Sequence, residues 1–337
     1  MQTLAMRGAA TLVALLALPL ACRARPQEAP APVAPAPQRL TLQHGGRERS
    51  ALLVDLPLPA DASADARRPI LLVLHGGGGS GEQMRGLTRG GFERQAAPEG
   101  GLVVYPDGWA RQWNDGRRDP PDAAAFALDV DDVGFLRALV ARLVQERSGD
   151  PLRVHATGHS NGALLCWRLA AQGSDFIAAI APNCGLLAEG QEGWDWPRPL
   201  PVLLLAGDED PMIPVAGGPI GPRLGGPRGR VLSLEASVAH VVARNALAPL
   251  PAVTEDLPDR APRDDTRIER RVYAPAPAAA DAPPAPHATL QVLVTRGGGH
   301  TWAGGDHGRR EWLTGKVSAD ADACELVWSF VRDVRRH

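Results

Sequence analysis

Leu152-Arg-Val-His-Ala-Thr-Gly-His-Ser-Asn-Gly-Ala-Leu-Leu-Cys-Trp-Arg-Leu-Ala170 is the stretch from which the rest of the chain can be read. Residues 152–157 form a short apolar run of strand type, and residues 163–170 have helical composition. Between them stands Gly158-His-Ser-Asn-Gly162. A strand that turns at once into a helix holds the residue at the turn in strained backbone, and glycines two positions either side keep that turn free of Cβ clashes. The pentapeptide therefore presents Ser160 as a nucleophile. A serine in an ordinary strand-to-helix turn is the alternative, since G-x-S-x-G also arises by chance.

Working outward, Ile70-Leu-Leu-Val-Leu74 and Gly101-Leu-Val-Val-Tyr105 are unbroken apolar runs, the pattern of strands buried on both faces. Residues 40–55 are also β-rich, and further strands are predicted over 176–181, 202–206 and 289–295. Helices are predicted over 128–146, where Val133, Leu136, Val140 and Leu143 recur at helical spacing, and over 232–245 and 321–334. Strand alternating with helix predicts an α/β fold, a doubly wound and mostly parallel sheet with helices on both faces. Asp129, Asp131 and Asp132 suit a helix N-terminus, with a bound cation as the alternative. Residues 249–265 and 274–286 read as surface loops flanking a short strand over 266–273.

The 337 residues, 44% hydrophobic and 22% charged, are enough for one α/β domain at 39–337. A formal net charge of −2 with no basic stripe argues against a nucleic-acid partner. Arg7, the apolar run over 9–21 and Cys22 read as a signal peptide over 1–22. Residues 18–21 before Cys22 resemble a lipoprotein processing site, so Cys22 is a candidate membrane tether; ordinary signal-peptide cleavage is the rival. The expected location is extracellular, periplasmic or lipid-anchored at the cell surface. Residues 23–38 are a Pro/Ala-rich linker of semi-rigid, extended type. Cys166, Cys184 and Cys324 allow at most one disulfide; Cys166 with Cys184 is the candidate pair, and buried thiols are the alternative.

A serine hydroxyl needs a base to remove its proton, and the base needs an acid to orient it. After the run at 202–206 comes Gly207-Asp-Glu-Asp-Pro211, and after residues 290–294 comes Gly297-Gly-Gly-His-Thr-Trp302. Serine, acid and histidine thus follow in that order, each behind its own strand. Asp208, Glu209 and Asp210 compete for the acid; Asp210 is favoured because a proline follows it, with Asp208 left to cap the turn. His300 is the candidate base. His75 and His159 are expected to structure the region that stabilises a tetrahedral oxyanion, and His287, His307 and His337 read as surface residues. Backbone N–H groups of Gly76 or Gly77, in Leu74-His-Gly-Gly-Gly-Gly79, and of Asn161 are the candidate oxyanion donors. Gly76, Gly78 and Gly81 also fit G-x-G-x-x-G after a strand, the rival reading being a dinucleotide-dependent oxidoreductase.

These motifs, together with Tyr105-Pro-Asp-Gly108, Trp113-Asn-Asp-Gly116 and Asp131-Asp-Val133, resemble the secreted polyhydroxybutyrate depolymerase and feruloyl or acetylxylan esterase family of α/β hydrolases. The resemblance runs from about residue 40 to 335. It implies an α/β-hydrolase fold and an exported serine carboxylic-ester hydrolase with Ser160, Asp210 and His300 as nucleophile, acid and base. It further implies Trp113 and Trp302 near the acyl or alcohol pocket, with His75 and His159 among the substrate-binding residues. The family more often carries proline where this chain has Ala303. The expected partner is an ester, on plant polysaccharide or a hydroxyalkanoate polymer. No metal or organic cofactor is expected, because no two histidines or cysteines show ligand spacing. A catalytically silent binding protein on the same scaffold would need a broken triad. Of the tryptophans in predicted loops (Trp109, Trp113, Trp194, Trp196, Trp302 and Trp312), about half are expected to anchor loops and the rest to offer a stacking face.

Overall fold

The computed structural model describes residues 35–121, 123–222, 226–275, 288–308 and 311–336. The expected signal peptide, Cys22, most of the linker, His287 and His337 lie outside the described residues. In chain order the strands are β1 (Gln38–His44), β2 (Arg47–Asp55), β3 (Arg68–Leu74), β4 (Leu102–Pro106), β5 (Gly149–His159), β6 (Ala179–Asn183), β7 (Val202–Gly207), β8 (Gly218–Pro219), β9 (Arg230–Val231), β10 (Val253–Asp256), β11 (Arg267–Tyr273) and β12 (Leu290–Arg296). The helices are α1 (Gly81–Leu87), α2 (Gly91–Ala96), α3 (Ala124–Ala127), α4 (Asp132–Glu146), α5 (Asn161–Gln172), α6 (Leu234–Arg244), α7 (Glu311–Thr314) and α8 (Ala323–Val331).

Ten strands form one sheet in the order β1-β2-β4-β3-β5-β6-β7-β12-β11-β10. The central strands β4, β3, β5, β6, β7 and β12 run parallel, and the outer strands pair antiparallel. All seven residues of β3 are buried, as an apolar run covered on both faces requires. Alternation sends Ile70, Leu72 and Leu74 into a core layer with Leu136 of α4, Leu165 of α5 and Val241 of α6. Leu71 and Val73 enter the opposite layer with Met84, Phe92 and the α8 residues Val327 and Trp328. Helices cover both faces, as expected, and the architecture is that of an α/β hydrolase. Parallel strands bring their C-terminal ends, and the loops that follow them, to one edge of the sheet, the usual ligand edge of such folds.

Some expectations are refined and others corrected. The β-rich run at 40–55 is a hairpin of two strands turning at Gly45-Gly46. The helix expected over 128–146 begins at Asp132, where the Asp131 carboxylate caps it by accepting the Gly134 N–H. The three acids hold protein groups: Asp129 accepts from the Asn114 amide, Asp131 pairs with His44 at 2.9 Å, and Asp132 pairs with Arg49 at 2.6 Å. The strand expected over 176–181 begins three residues further on, at Ala179–Asn183, because Phe176 and Ile177 are held in a turn bonded to the Gly173 carbonyl. Residues 249–265 contain β10, four exposed residues with no apolar alternation that form a strand by pairing with β11. Cys166, Cys184 and Cys324 are buried free thiols, so the candidate disulfide is absent. Among the described residues no helix is long and apolar enough to cross a membrane.

Candidate active site

β5 ends at His159 and α5 begins at Asn161, which leaves Ser160 alone at the corner with φ 55° and ψ −118°. A residue with a Cβ seldom adopts that backbone, and a strained position at a strand-to-helix corner marks a functional site. The flanking glycines are dictated by close approach. A Cβ on Gly158 would meet the Gly162 backbone, and one on Gly162 would meet the carbonyls of Leu74 and His75, at the end of β3. Ser160 N–H donates to the Asn183 carbonyl at 3.0 Å, and Gly76 lies against the serine, 3.4 Å separating the Ser160 Cβ from where a Gly76 Cβ would stand.

Behind β7, the Asp210 Oδ1 accepts the N–H groups of Met212 and Ile213 at 2.7 and 2.8 Å, while its Oδ2 lies 2.7 Å from His300 Nδ1. Both side chains are buried. Asp208 instead accepts the Gly297 N–H at 2.7 Å and pairs with Arg296, so of the neighbouring acids Asp210 is the one that reaches the histidine. His300 is held through its backbone N–H, which donates to the carbonyl of Thr314, the last residue of α7, at 2.5 Å.

Two further imidazoles crowd His300. The His159 ring stands 4.7 Å from it, and His307 stands 6.2 Å from His159. His159 Nδ1 accepts from the Asn183 amide at 2.9 Å, and that amide also donates to the Thr301 carbonyl. His307 Nε2 accepts the Trp302 N–H at 2.7 Å. Burial, aided by the neighbouring His300, pushes His159 well below the usual histidine range and His307 down to about 4. Both stay neutral near pH 7. His307, expected at the surface, thus belongs to the site, a placement made by the loop after His300 folding back.

The loop after β3 is held from below. His75 is buried, its Nδ1 donating to the Gly76 carbonyl at 2.7 Å and its Nε2 accepting the Gly108 N–H at 2.9 Å. Burial lowers its pKa and keeps the ring neutral, and these two bonds select its tautomer. The Trp113 Nε1 donates to the His75 carbonyl at 2.9 Å, and the Trp113 backbone is clasped by Asn161, whose Oδ1 accepts Trp113 N–H and whose Nδ2 donates to Trp113 O and Asp115 Oδ2. This side-chain role of Asn161 escapes sequence reading, which singled out its backbone N–H. Gln112 is another omission. Its amide lies against Gly77, 2.9 Å from where a Cβ would stand, and no motif marks it.

The substrate-facing placement of Trp113 and Trp302 is corrected. Both are 0% exposed; Trp113 tilts against His75 and Trp302 packs edge-on against Phe92. An indole that buries its whole area in the core cannot also offer a face to a ligand. His75 likewise acts as a strut. Ala303 accepts the Ala323 N–H at 3.0 Å, which ties its loop to α8 without proline. The dinucleotide reading loses its footing too. Gly78 and Gly79 N–H groups are taken by Arg111 and Gly76 carbonyls, and Gly81 is required because a Cβ there would meet the Tyr105 carbonyl.

This sheet and this corner are those of the α/β-hydrolase fold. The chain is 30% identical over 276 residues, 78% of its length and 74% of the other's, to "Putative esterase NocK" of Nocardia uniformis subsp. tsuyamanensis, and it belongs to that esterase family. It is also 28% identical over 172 residues, 49% of its length, to feruloyl esterase B of Piromyces equi, of which the match spans 30%. The acetyl xylan esterase from Aspergillus awamori shares the fold with a TM-score of 0.50 at 14% identity, over 78% of this chain and 94% of that one. No family model matches the chain. The protein is a carboxylic-ester hydrolase.

Proposed function

We propose that Ser160, His300 and Asp210 form a triad that cleaves esters through an acyl-enzyme. The 2.7 Å bond from His300 Nδ1 to Asp210 Oδ2, with the His300 ring 4.7 Å from that of His159, which precedes the strained Ser160 in the chain, carries this reading. Ser160 Oγ attacks the ester carbonyl carbon as its proton passes to His300 Nε2, and the oxyanion is held by the N–H groups of Asn161 and of Gly76 or Gly77. The carbonyl re-forms, the C–O bond breaks, and His300 gives its proton to the departing alkoxide. Water, deprotonated by His300, then attacks the acyl group and releases the acid and Ser160. Asp210 keeps Nδ1–H pointed at itself throughout and stabilises the imidazolium.

The substrate class we favour is an acyl ester on plant polysaccharide, feruloyl or acetyl, which the names of the relatives support. A hydroxyalkanoate oligomer is the other member of the set. Export, and a lipid tether at Cys22, belong to the same proposal. Turnover of p-nitrophenyl butyrate tests the triad: Ser160→Ala is expected to lower kcat by at least about 10³-fold, and a wild-type rate in that variant overturns the assignment. Hydrolysis of methyl ferulate, acetylated xylan and hydroxybutyrate oligomers, measured side by side, ranks the substrates. Loss of membrane fractionation in Cys22→Ala tests the tether.

A further inference from the structure

We infer that Cys184, Asp210 and His300 form a latent site for a thiophilic divalent cation such as Zn2+, and that the cation switches the esterase off. The inference rests on the triad reading for its effect on turnover, though the site itself does not. The three residues are far apart in the chain, yet Cys184 Sγ, a carboxylate oxygen of Asp210 and a ring nitrogen of His300 all lie within 4.8 Å of one another, and all three side chains are buried. Thiolate, imidazole and carboxylate are the donors that zinc prefers.

Cys184 is buried at a backbone position that a residue with a side chain seldom takes. It stands just after β6 with φ 50°, a left-handed backbone that disfavours any residue with a Cβ. Its thiol turns toward the histidine loop, with Sγ 3.3 Å from the Thr301 carbonyl and 3.7 Å from that of Gly299. Cys166 and Cys324 are buried as well, but neither belongs to such a cluster among the described residues.

Ligand atoms around a tetrahedral zinc stand about 3.3–3.7 Å apart, given bonds of about 2.0–2.3 Å. Opening the 2.7 Å contact between His300 and Asp210 by about 0.6–1.0 Å, and drawing the sulfur in, makes that polyhedron. The thiol releases its proton to solvent, so thiolate and carboxylate together balance the two positive charges. With the cation on Nδ1, the one proton of the neutral ring sits on Nε2. That nitrogen then has no lone pair for the Ser160 proton, and the base is blocked.

The test titrates ZnCl2 into the full-length protein in chelator-free buffer while p-nitrophenyl butyrate turnover is followed. Wild type, Cys166→Ala and Cys324→Ala are expected to lose activity together. Cys184→Ala is expected to keep basal turnover and to need at least about tenfold more Zn2+ for half inhibition; inhibition at the wild-type concentration overturns the site. Cys184→Ser serves where Cys184→Ala fails to fold. A second readout is the thiolate-to-metal absorption band on adding CoCl2, expected in wild type and in Ser160→Ala but not in the Cys184 variants. A band missing from Ser160→Ala overturns the cation site. Turnover surviving in Ser160→Ala overturns the triad reading and leaves the band to decide the site.

Discussion

Asp208 and Asp210 follow the same strand two residues apart, and their carboxylates do different work. Asp208 ties Gly297, at the start of the histidine loop, to the end of β7, whereas Asp210 is fixed by two backbone N–H groups and offers its second oxygen to His300. Asp210→Asn should therefore present the ring with the wrong partner and lower kcat by about 10⁴-fold with little change in KM. Asp208→Asn still has an oxygen for Gly297 N–H and should stay within a few-fold of wild type. Steady-state kinetics on p-nitrophenyl butyrate distinguishes them, and equal losses would place the acid elsewhere. The order serine, acid, histidine was legible because each stands behind an apolar run. The choice between neighbouring acids was only favoured by a following proline, since it depends on which way each side chain leaves its turn. Trp113 and Trp302 were misplaced for the same reason, as a loop position says nothing about which way an indole points.

The elements around the site are locked together by buried polar contacts. Asp132, the first residue of α4, is fully buried, accepts from Arg49 of β2 at 2.6 Å and from Asn114 N–H at 2.7 Å, and so joins a helix, an outer strand and the loop that supports His75. Burial raises its pKa despite Arg49, the mark of a carboxylate that depends on its partners to remain ionised. Removing one member leaves the other charged and dry. Asp132→Ala or Arg49→Ala is expected to cost about 3–5 kcal/mol in urea unfolding, while the double change to apolar residues of similar volume should recover most of that loss. A double variant no more stable than the singles would refute the pairing argument. α4 and its Asp cap were readable from periodicity and acids. The tie to Arg49, 83 residues away, was not, because it is made across the sheet.

Taken as a whole, the molecule stores several neutral histidines in its interior. His155, in β5, is fully buried with neither ring nitrogen bonded to protein, and burial drives its pKa down to about 3. His159 and His307 are depressed for the same reason. An unfolded histidine binds its proton near pH 6.5, so these groups favour the folded state fully above that pH, and their contribution is lost as pH falls toward 3–4. At pH 5 a fully buried histidine costs about 2 kcal/mol relative to neutral pH. Urea midpoints should fall from pH 7.5 to 5, and His155→Leu should reduce that fall; an unchanged difference would show that His155 does not contribute. The sequence alone carried the layered α/β architecture, the Ser160 corner and the order in which Ser160, Asp210 and His300 follow their strands, because apolar periodicity and glycine spacing are local properties that survive in one dimension. Which acid meets His300, that His159 and His307 surround it, that Trp113 and Trp302 serve as core, and that Cys184 lies beside the pair were decided by tertiary structure. Each depends on a distance between loops carried on different strands, and that distance exists only after the sheet has formed.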